Sequence, residues 1–242
     1  MVLNPDDVHV WYVRSDRVVD PGVLGQYEAT LSADERARRD RFVFEKDRRQ
    51  FLVTRGVLRT LLGRYLGADP RACEFVTNSH GKPSLIPTAT GRTLGFNVSH
   101  TAGLIAIALA HTPEVGIDVE HMERTVGSED LARRFFSATE VEALERMPAE
   151  AHKAAFFDVW TLKEAYIKAR GLGLSLPLDG FSMHLDPGGP PRISFAAAIA
   201  DDAASWQFAQ FRPTPTHRMA LAVRRHGADL TVLVRELPDG AL

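Results

Sequence analysis

Two short segments carry acidic and basic side chains at spacings that suit chemistry on a phosphate. In residues 115–120, Val-Gly-Ile-Asp-Val-Glu, apolar residues alternate with others, which predicts a strand with Asp118 and Glu120 on one face. Residues 160–168, Trp-Thr-Leu-Lys-Glu-Ala-Tyr-Ile-Lys, predict a helix on which Glu164 and Lys168 are neighbours, since four residues separate them. Three carboxylates suit a magnesium ion that bridges to a phosphate, and the lysine can neutralise phosphate charge.

Each segment also has a simpler interpretation. Asp118 and Glu120 could be solvent-facing acids on a half-buried strand. Glu164 and Lys168 could be a surface ion pair that contributes only a few tenths of a kcal/mol. Trp160, four residues before Glu164, is predicted to pack and so position the helix.

The predicted elements occur in a similar order in the two halves of the chain. Each half has a capping box (Ser32 with Glu35, Ser137 with Glu140) that starts a short helix, then a longer helix closed by glycine. The expected helices start near residue 33, span 45–66, start near 138 and span 150–170. Strands are expected at 8–13, 94–98, 104–110, 115–120, 181–185, 192–195, 206–211, 219–223 and 230–234, with a frayed tail at 237–242.

Composition places the chain among ordinary globular proteins. Of its 242 residues, 45% are hydrophobic and 25% charged, and the formal net charge of −2 argues against a general nucleic-acid surface. A single cysteine fits a reducing compartment, and no secretory signal or apolar run of about 18 residues is present. We therefore expect a cytoplasmic protein with no nucleic-acid or membrane partner.

The two segments resemble the signature of the Sfp-type 4′-phosphopantetheinyl transferases. That signature is a G-[IV]-D-[IVL]-E strand, followed about 40 residues later by a W-x-x-K-E-A-x-x-K helix. Here the two parts are residues 116–120 and 160–168, followed by Gly-Leu-Gly-Leu-Ser-Leu-Pro-Leu at 171–178. Phe-Asn-Val-Ser-His at 96–100 and Gly-Lys-Pro at 81–83 resemble two further segments of the family.

The resemblance implies a transferase that moves 4′-phosphopantetheine from coenzyme A to a serine of an apo acyl or peptidyl carrier protein. The products would be the holo carrier and adenosine 3′,5′-bisphosphate. The resemblance also implies dependence on magnesium, with manganese as an alternative, and a monomeric enzyme. The same reaction would serve fatty-acid, polyketide or nonribosomal-peptide carriers.

The family's catalytic residues match four positions here. Asp118, Glu120 and Glu164 would be the metal ligands, with Asp118 also facing the coenzyme. Glu164 would deprotonate the carrier serine, directly or through water, and Lys168 would face the pyrophosphate and assist the leaving group. Lys163 points elsewhere on the helix and is a candidate phosphate or carrier contact.

Coenzyme contacts are expected from the first half. Ser99 and His100, at the end of a strand, would donate to phosphate oxygens, although a Ser-His pair can also satisfy the local backbone. Lys82 and Pro83 match the family's segment beside the coenzyme's phosphates or adenine.

A basic run begins the first long helix, and the family holds the 3′-phosphate of the nucleotide near this position. Arg48 and Arg49 are our candidates, because a guanidinium fork suits a phosphate dianion. A solvated helix face is the alternative.

The fold implied is α+β. It has two similar lobes, each a long helix packed on a small antiparallel sheet, related by a pseudo-twofold axis with the active site between them. We expect an N-terminal lobe at 1–113, a C-terminal lobe at 114–236 and a tail at 237–242.

Two other functions compete with the transferase. One is a non-catalytic carrier-binding module with the same fold. It would be favoured if Asp118, Glu120, Glu164 or Lys168 were missing, but all four residues are present. A different magnesium-dependent phosphotransferase could use the two acids of the strand, but neither a Walker-A run nor a kinase signature is present.

Overall fold

The structure is a computed structural model that describes residues 1–87, 94–124 and 127–238. Its fold is α+β, as expected. The helices are α1 (Pro21–Thr30), α2 (Ala33–Asp40), α3 (Glu45–Leu66), α4 (Ser128–Phe135), α5 (Ala138–Glu145) and α6 (Ala149–Arg170). The strands are β1 (Asp7–Val13), β2 (Phe75–Thr77), β3 (Pro83–Leu85), β4 (Gly95–Thr101), β5 (Leu104–Ala110), β6 (Val115–His121), β7 (Phe181–His184), β8 (Arg192–Phe195), β9 (Trp206–Phe211), β10 (His217–Arg224) and β11 (Thr231–Leu237).

The strands form two main sheets and two ribbons. The first sheet has the order β11-β1-β5-β4 and the second has the order β6-β10-β9, while β2 pairs with β3 and β7 pairs with β8. Without β11, the first sheet has the order β1-β5-β4 and the second has the order β6-β10-β9. In each, the first strand of that half of the chain pairs with the last strand of its sheet in sequence, and that strand also pairs with the one before it. The same topology is therefore present in both halves.

The last strand departs from the expected arrangement. β11 runs parallel to β1, with Val234 opposite Val10, so the first sheet is not purely antiparallel and contains a strand that we expected in the C-terminal lobe. Leu237, expected to begin a frayed tail, ends β11 and is 3% exposed, because it packs into the core of the first half. Residues 239–242 lie outside the described residues.

The two long helices end as the sequence predicts. Both capping boxes form, and α3 and α6 each stop at a glycine in the left-handed conformation, Gly67 (φ 64°) and Gly171 (φ 63°). Glycine adopts this conformation without the steric cost that a Cβ would bring. Nowhere in the described ranges is a helix both long and apolar enough to cross a membrane.

Small residues bring α6 close to the second sheet. A Cβ built on Gly116 of β6 would lie 2.0 Å from the carbonyl oxygen of Ala165 and 2.4 Å from the nitrogen of Ala169. Ala220 and Ala222 of β10, both 0% exposed, belong to the same core. Only a residue without a side chain fits at Gly116, and this close approach carries α6 across the strand that bears Asp118.

Candidate active site

Two side chains of β4 join it to β6. The Oδ1 of Asn97 accepts a hydrogen bond from the Ile117 nitrogen (2.9 Å), and the Oγ of Ser99 accepts one from the Val119 nitrogen (3.2 Å). Asn97 and Ser99 are both buried and lie two residues apart, hence on the same face of the strand. β4 and β6 are edge strands of the two sheets, so this junction fixes one half of the protein against the other.

Asp118 lies at this junction with one oxygen bonded and the other not. Its Oδ1 accepts from Ser99 Oγ (3.0 Å) and from Lys168 Nζ (2.6 Å). Its Oδ2 is buried without a hydrogen-bond partner. A buried carboxylate oxygen without a partner is costly, and an added cation is one way to satisfy it.

Lys168 therefore pairs with β4 and β6 rather than with its own helix. Its ammonium donates to Ser99 Oγ (2.8 Å) as well as to Asp118. Asp118 is therefore not a solvent-facing acid, since it is 4% exposed. Lys168 does not form a surface ion pair within its own helix, since its partner Asp118 lies on β6.

The other two carboxylates interact electrostatically with Asp118. Burial raises the pKa of Glu164 to about 7, the charges of Asp118 and Glu120 add to that rise, and Lys168 opposes it. Burial also raises the pKa of Glu120, against the opposing effect of Arg124, which donates to both of its carboxylate oxygens. Like charges close together disfavour full ionisation, so these acids share one electrostatic site.

The donor set fits a hard divalent cation, although the described residues do not form a ready cage. No group of three or more His, Cys, Asp or Glu residues in the described ranges stands at metal-binding distances. Lys168 instead neutralises Asp118, and Arg124 neutralises Glu120. The unpartnered Oδ2 of Asp118 and the raised pKa of Glu164 are the two features that a bound cation would relieve.

A cleft of about 290 Å³ opens beside these residues and is lined from both halves. The first half contributes Lys82, Pro83 and Asn97 among others, and the second contributes Glu164 and Lys168. The cleft thus brings together candidates that are widely separated in sequence.

Ser99 and His100 are placed differently from the expected strand end. β4 continues to Thr101, so both lie within the strand. The hydroxyl of Ser99 is bonded to Asp118, Val119 and Lys168, while the side chain of His100 lies on the opposite face of the strand. Desolvation, followed by the charge of Lys168, lowers the pKa of His100. Their contact with a phosphate stays a prediction.

Lys82 makes contacts that its sequence did not predict. Its ammonium donates to three backbone carbonyls, those of Pro113 (2.8 Å), Val115 (3.3 Å) and Ala169 (2.7 Å). Burial lowers its pKa to about 8, against the opposing charge of Glu114.

The basic run on α3 divides into structural and free members. Arg48 Nε donates to the Phe42 carbonyl (2.8 Å), whereas Arg49 has no hydrogen bond or ion pair to another described residue. Gln50 Nε2 donates to the Thr101 carbonyl (3.0 Å), which places the first turns of α3 beside the end of β4. Binding of a 3′-phosphate by Arg48 and Arg49 stays a prediction.

Lys163 is not available as a phosphate or carrier contact. It is 0% exposed, pairs with Glu140 (2.8 Å) and donates to the carbonyls of Leu178 (2.8 Å) and Phe181 (2.6 Å). The face of α6 that carries Lys163 is turned into the core. Trp160 packs against Phe135 and Phe156, as its position on the helix predicted.

Asn97 and Arg124 contact the site although neither was predicted from the sequence. The alternation of β4 offered a signal for Asn97, since it shares a face with Ser99. The ion pair of Arg124 with Glu120 has the i,i+4 spacing of a helix, but Glu120 lies in β6 and Arg124 just beyond it, so no helix pattern indicated the pair.

Two family models and several relatives of this chain agree on one family. The family model described as the 4′-phosphopantetheinyl transferase superfamily matches residues 114–224, and that described as 4′-phosphopantetheinyl transferase, N-terminal, matches residues 24–112. The 4′-phosphopantetheinyl transferase HetI of Nostoc sp. is 37% identical over 227 residues, which cover 94% of this chain and 92% of HetI. The 4′-phosphopantetheinyl transferase Sfp of Bacillus subtilis is 28% identical over 214 residues, which cover 88% and 90%.

Among solved structures, the holo-[acyl-carrier-protein] synthase of Thermotoga maritima matches 46% of this chain and 61% of its own, at 24% identity and a TM-score of 0.37. That overlap is too small to support an argument. The sequence matches are extensive and cover both halves of the site. The chain belongs to the 4′-phosphopantetheinyl transferase superfamily, as its resemblance to the Sfp type predicted.

Proposed function

We propose that this protein transfers 4′-phosphopantetheine from coenzyme A to a serine of an apo acyl or peptidyl carrier protein. The observation that carries the proposal is the meeting of Asp118, Glu164 and Lys168 beside a cleft lined by both halves of the chain. The named activity of the relatives HetI and Sfp supports it. The family's three acids and its lysine are all present, which favours an enzyme over the non-catalytic carrier-binding module. These residues are Asp118, Glu120, Glu164 and Lys168.

The reaction needs a proton acceptor, and Glu164 is the proposed base. The serine oxygen forms a bond to the phosphorus that bears pantetheine, the bond to the bridging pyrophosphate oxygen breaks, and adenosine 3′,5′-bisphosphate leaves. The serine proton passes to the Glu164 carboxylate, directly or through water. A pKa of about 7 suits this role, because the group then accepts and releases a proton near neutral pH.

Lys168 is proposed to stabilise the charge that develops on the leaving phosphate, with Ser99 as one of the two groups that hold its ammonium. Lys168 lines the cleft, and its ammonium is anchored to Asp118 and Ser99, so its position is fixed before substrate arrives. A preorganised cation stabilises developing negative charge without reorganisation at the moment of reaction. Contacts of Pro83, His100, Arg48 and Arg49 with the coenzyme belong to this proposal, whereas the three backbone hydrogen bonds of the Lys82 ammonium favour another role for that residue.

A divalent cation, magnesium or manganese, is proposed to bind among Asp118, Glu120 and Glu164. When bound it would supply positive charge to the pyrophosphate oxygens. Asp118 Oδ2 is the oxygen that lacks a partner, and Glu120 would exchange its contact with Arg124 for the ion.

We further propose that residues 1–113 and 114–236 are two related lobes, with the active site between them. The shared strand order of the two sheets and the equal length of α3 and α6, 22 residues each, support a pseudo-twofold relationship. β11 is the exception, since it belongs to the second lobe in sequence and to the first sheet in space. A monomeric, cytoplasmic enzyme without a nucleic-acid or membrane partner completes the proposal.

Consumption of coenzyme A provides the test. Free coenzyme A should fall, and adenosine 3′,5′-bisphosphate should appear, only when apo carrier and magnesium are both present. Full turnover after exhaustive chelation would contradict the metal proposal. Binding of carrier and coenzyme A without release of the bisphosphate would favour the non-catalytic module.

A further inference from the structure

The turn between β2 and β3 lies against the two elements that carry the acidic residues. Lys82 Nζ donates to the carbonyl of Ala169, in the last turn of α6, and to the carbonyls of Pro113 and Val115, where the chain enters β6. One ammonium from the first half therefore ties the end of α6 to the start of β6.

Asn78 makes the second contact from the same turn. Its Nδ2 donates to the carbonyl of Gly171 (2.8 Å), while its Oδ1 accepts from the nitrogens of His80 (3.0 Å) and Lys82 (2.9 Å). The side chain thus shapes the turn and docks it on the residue that ends α6. Packing is close here, because a Cβ on Gly171 would lie 2.7 Å from Lys82 Cδ.

These contacts satisfy groups that the helix itself leaves open. The last four carbonyls of a helix have no partner within it, and a positive charge at this end interacts favourably with the helix dipole. Ala169 supplies one such carbonyl and Gly171 supplies the carbonyl just beyond the helix; Lys82 and Asn78 satisfy them. An ammonium has three N–H donors, and here all three have backbone acceptors.

We propose that Lys82 and Asn78 are positioning residues for the transfer reaction. They hold α6 against β6 so that Glu164 and Lys168 face Asp118. The inference rests on the proposed function, which supplies the reaction, and it assigns Lys82 a role other than direct contact with the coenzyme. Contact and positioning differ in what they predict for kcat, KM and the dynamics of α6.

Lys82→Met tests the inference, because methionine keeps the length and apolar stem but removes all three donors. We expect kcat at saturating coenzyme A to fall about 10- to 100-fold, since small misplacements of reacting groups cost this much, while KM for coenzyme A changes less than about threefold. Amide hydrogen exchange should increase in residues 113–119 and 163–171. Lys153→Met, at an exposed position on α6, is the matched control and should leave kcat and exchange unchanged.

A rise in KM with unchanged kcat and unchanged exchange would overturn the inference and restore Lys82 as a coenzyme contact. If Lys82→Met does not fold, Asn78→Ala gives the test, since it removes the hydrogen bonds of this side chain to Gly171, His80 and Lys82 but retains the Lys82 ammonium. We expect a smaller fall in kcat and faster exchange at 163–171, and wild-type values for both would contradict the inference. Amide hydrogen exchange is measured without substrate and therefore tests the positioning role even if the protein has no transferase activity. A wild-type protein that transfers nothing would contradict only the proposed function.

Discussion

Lys168 forms its ion pair with Asp118 on β6, at 2.6 Å, and not with Glu164 one turn earlier on its own helix. Spacing within the helix made Glu164 the expected partner, but the packing of α6 over Gly116 brings Asp118 closer. Glu164 is thereby left without an ion pair to Lys168, with a raised pKa. The free base and the anchored cation are the two parts that the proposed reaction needs.

Lys168→Arg should separate catalysis from stability. Arginine keeps the charge but presents a wider, planar head where a compact ammonium bonds both Asp118 and Ser99. We expect the single-turnover transfer rate to fall at least about tenfold while the melting temperature changes little. A wild-type rate in Lys168→Arg would show that the charge alone suffices.

Glu164→Gln should abolish transfer and change how stability depends on pH. The folded-state pKa of about 7 exceeds the ordinary value of 4.5, so the folded protein holds this proton more tightly. The resulting stability is fully present below pH 4.5 and is lost as the pH rises to about 7. We therefore expect the melting temperature of Glu164→Gln to increase relative to that of the wild type between pH 5 and pH 8.

Glu150→Gln, in the exposed first turn of α6, is the control for this pH effect. Its melting temperature should change with pH as that of the wild type does, both at pH 5 and at pH 8. Magnesium should raise the wild-type melting temperature more at pH 8 than at pH 5, because a cation favours the ionised carboxylate. Equal pH profiles for Glu164→Gln and the wild type would contradict the assigned burial of Glu164.

Gly116→Ala should damage both fold and activity. The added Cβ would meet the backbone of α6 at 2.0 Å, so the helix must move away from β6. We expect the free energy of unfolding to fall by about 1–3 kcal/mol, as overpacking typically does, and transfer to be slowed because Lys168 moves from Asp118. Gly25→Ala, where nothing lies within 4 Å, is the control and should not destabilise the protein in urea titrations.

The sequence predicted the parts of the structure that local patterns determine. Capping boxes and terminal glycines located α2, α3, α5 and α6, and alternation located most strands of the two main sheets. The partners of Lys82, Lys163 and Lys168 were not predictable in this way, because each bonds residues distant in sequence. The pairing of β11 with β1 was missed for the same reason.

Lys163→Met should be among the most destabilising changes at a charged residue of this chain. The variant leaves Glu140 buried without its cation, and the carbonyls of Leu178 and Phe181 without their donor. Breaking a buried pair in this way costs about 3–5 kcal/mol, which urea titration would measure. A loss below about 1 kcal/mol would show that water or a neighbouring group replaces the ammonium.

The mass of an apo carrier domain after incubation with the protein, coenzyme A and magnesium tests the central claim most directly. We predict that the carrier gains one phosphopantetheinyl group on a single serine, and that chelation or Glu164→Gln prevents the gain. An unchanged carrier mass across acyl and peptidyl carrier domains, with a folded wild-type protein that binds coenzyme A, would contradict it.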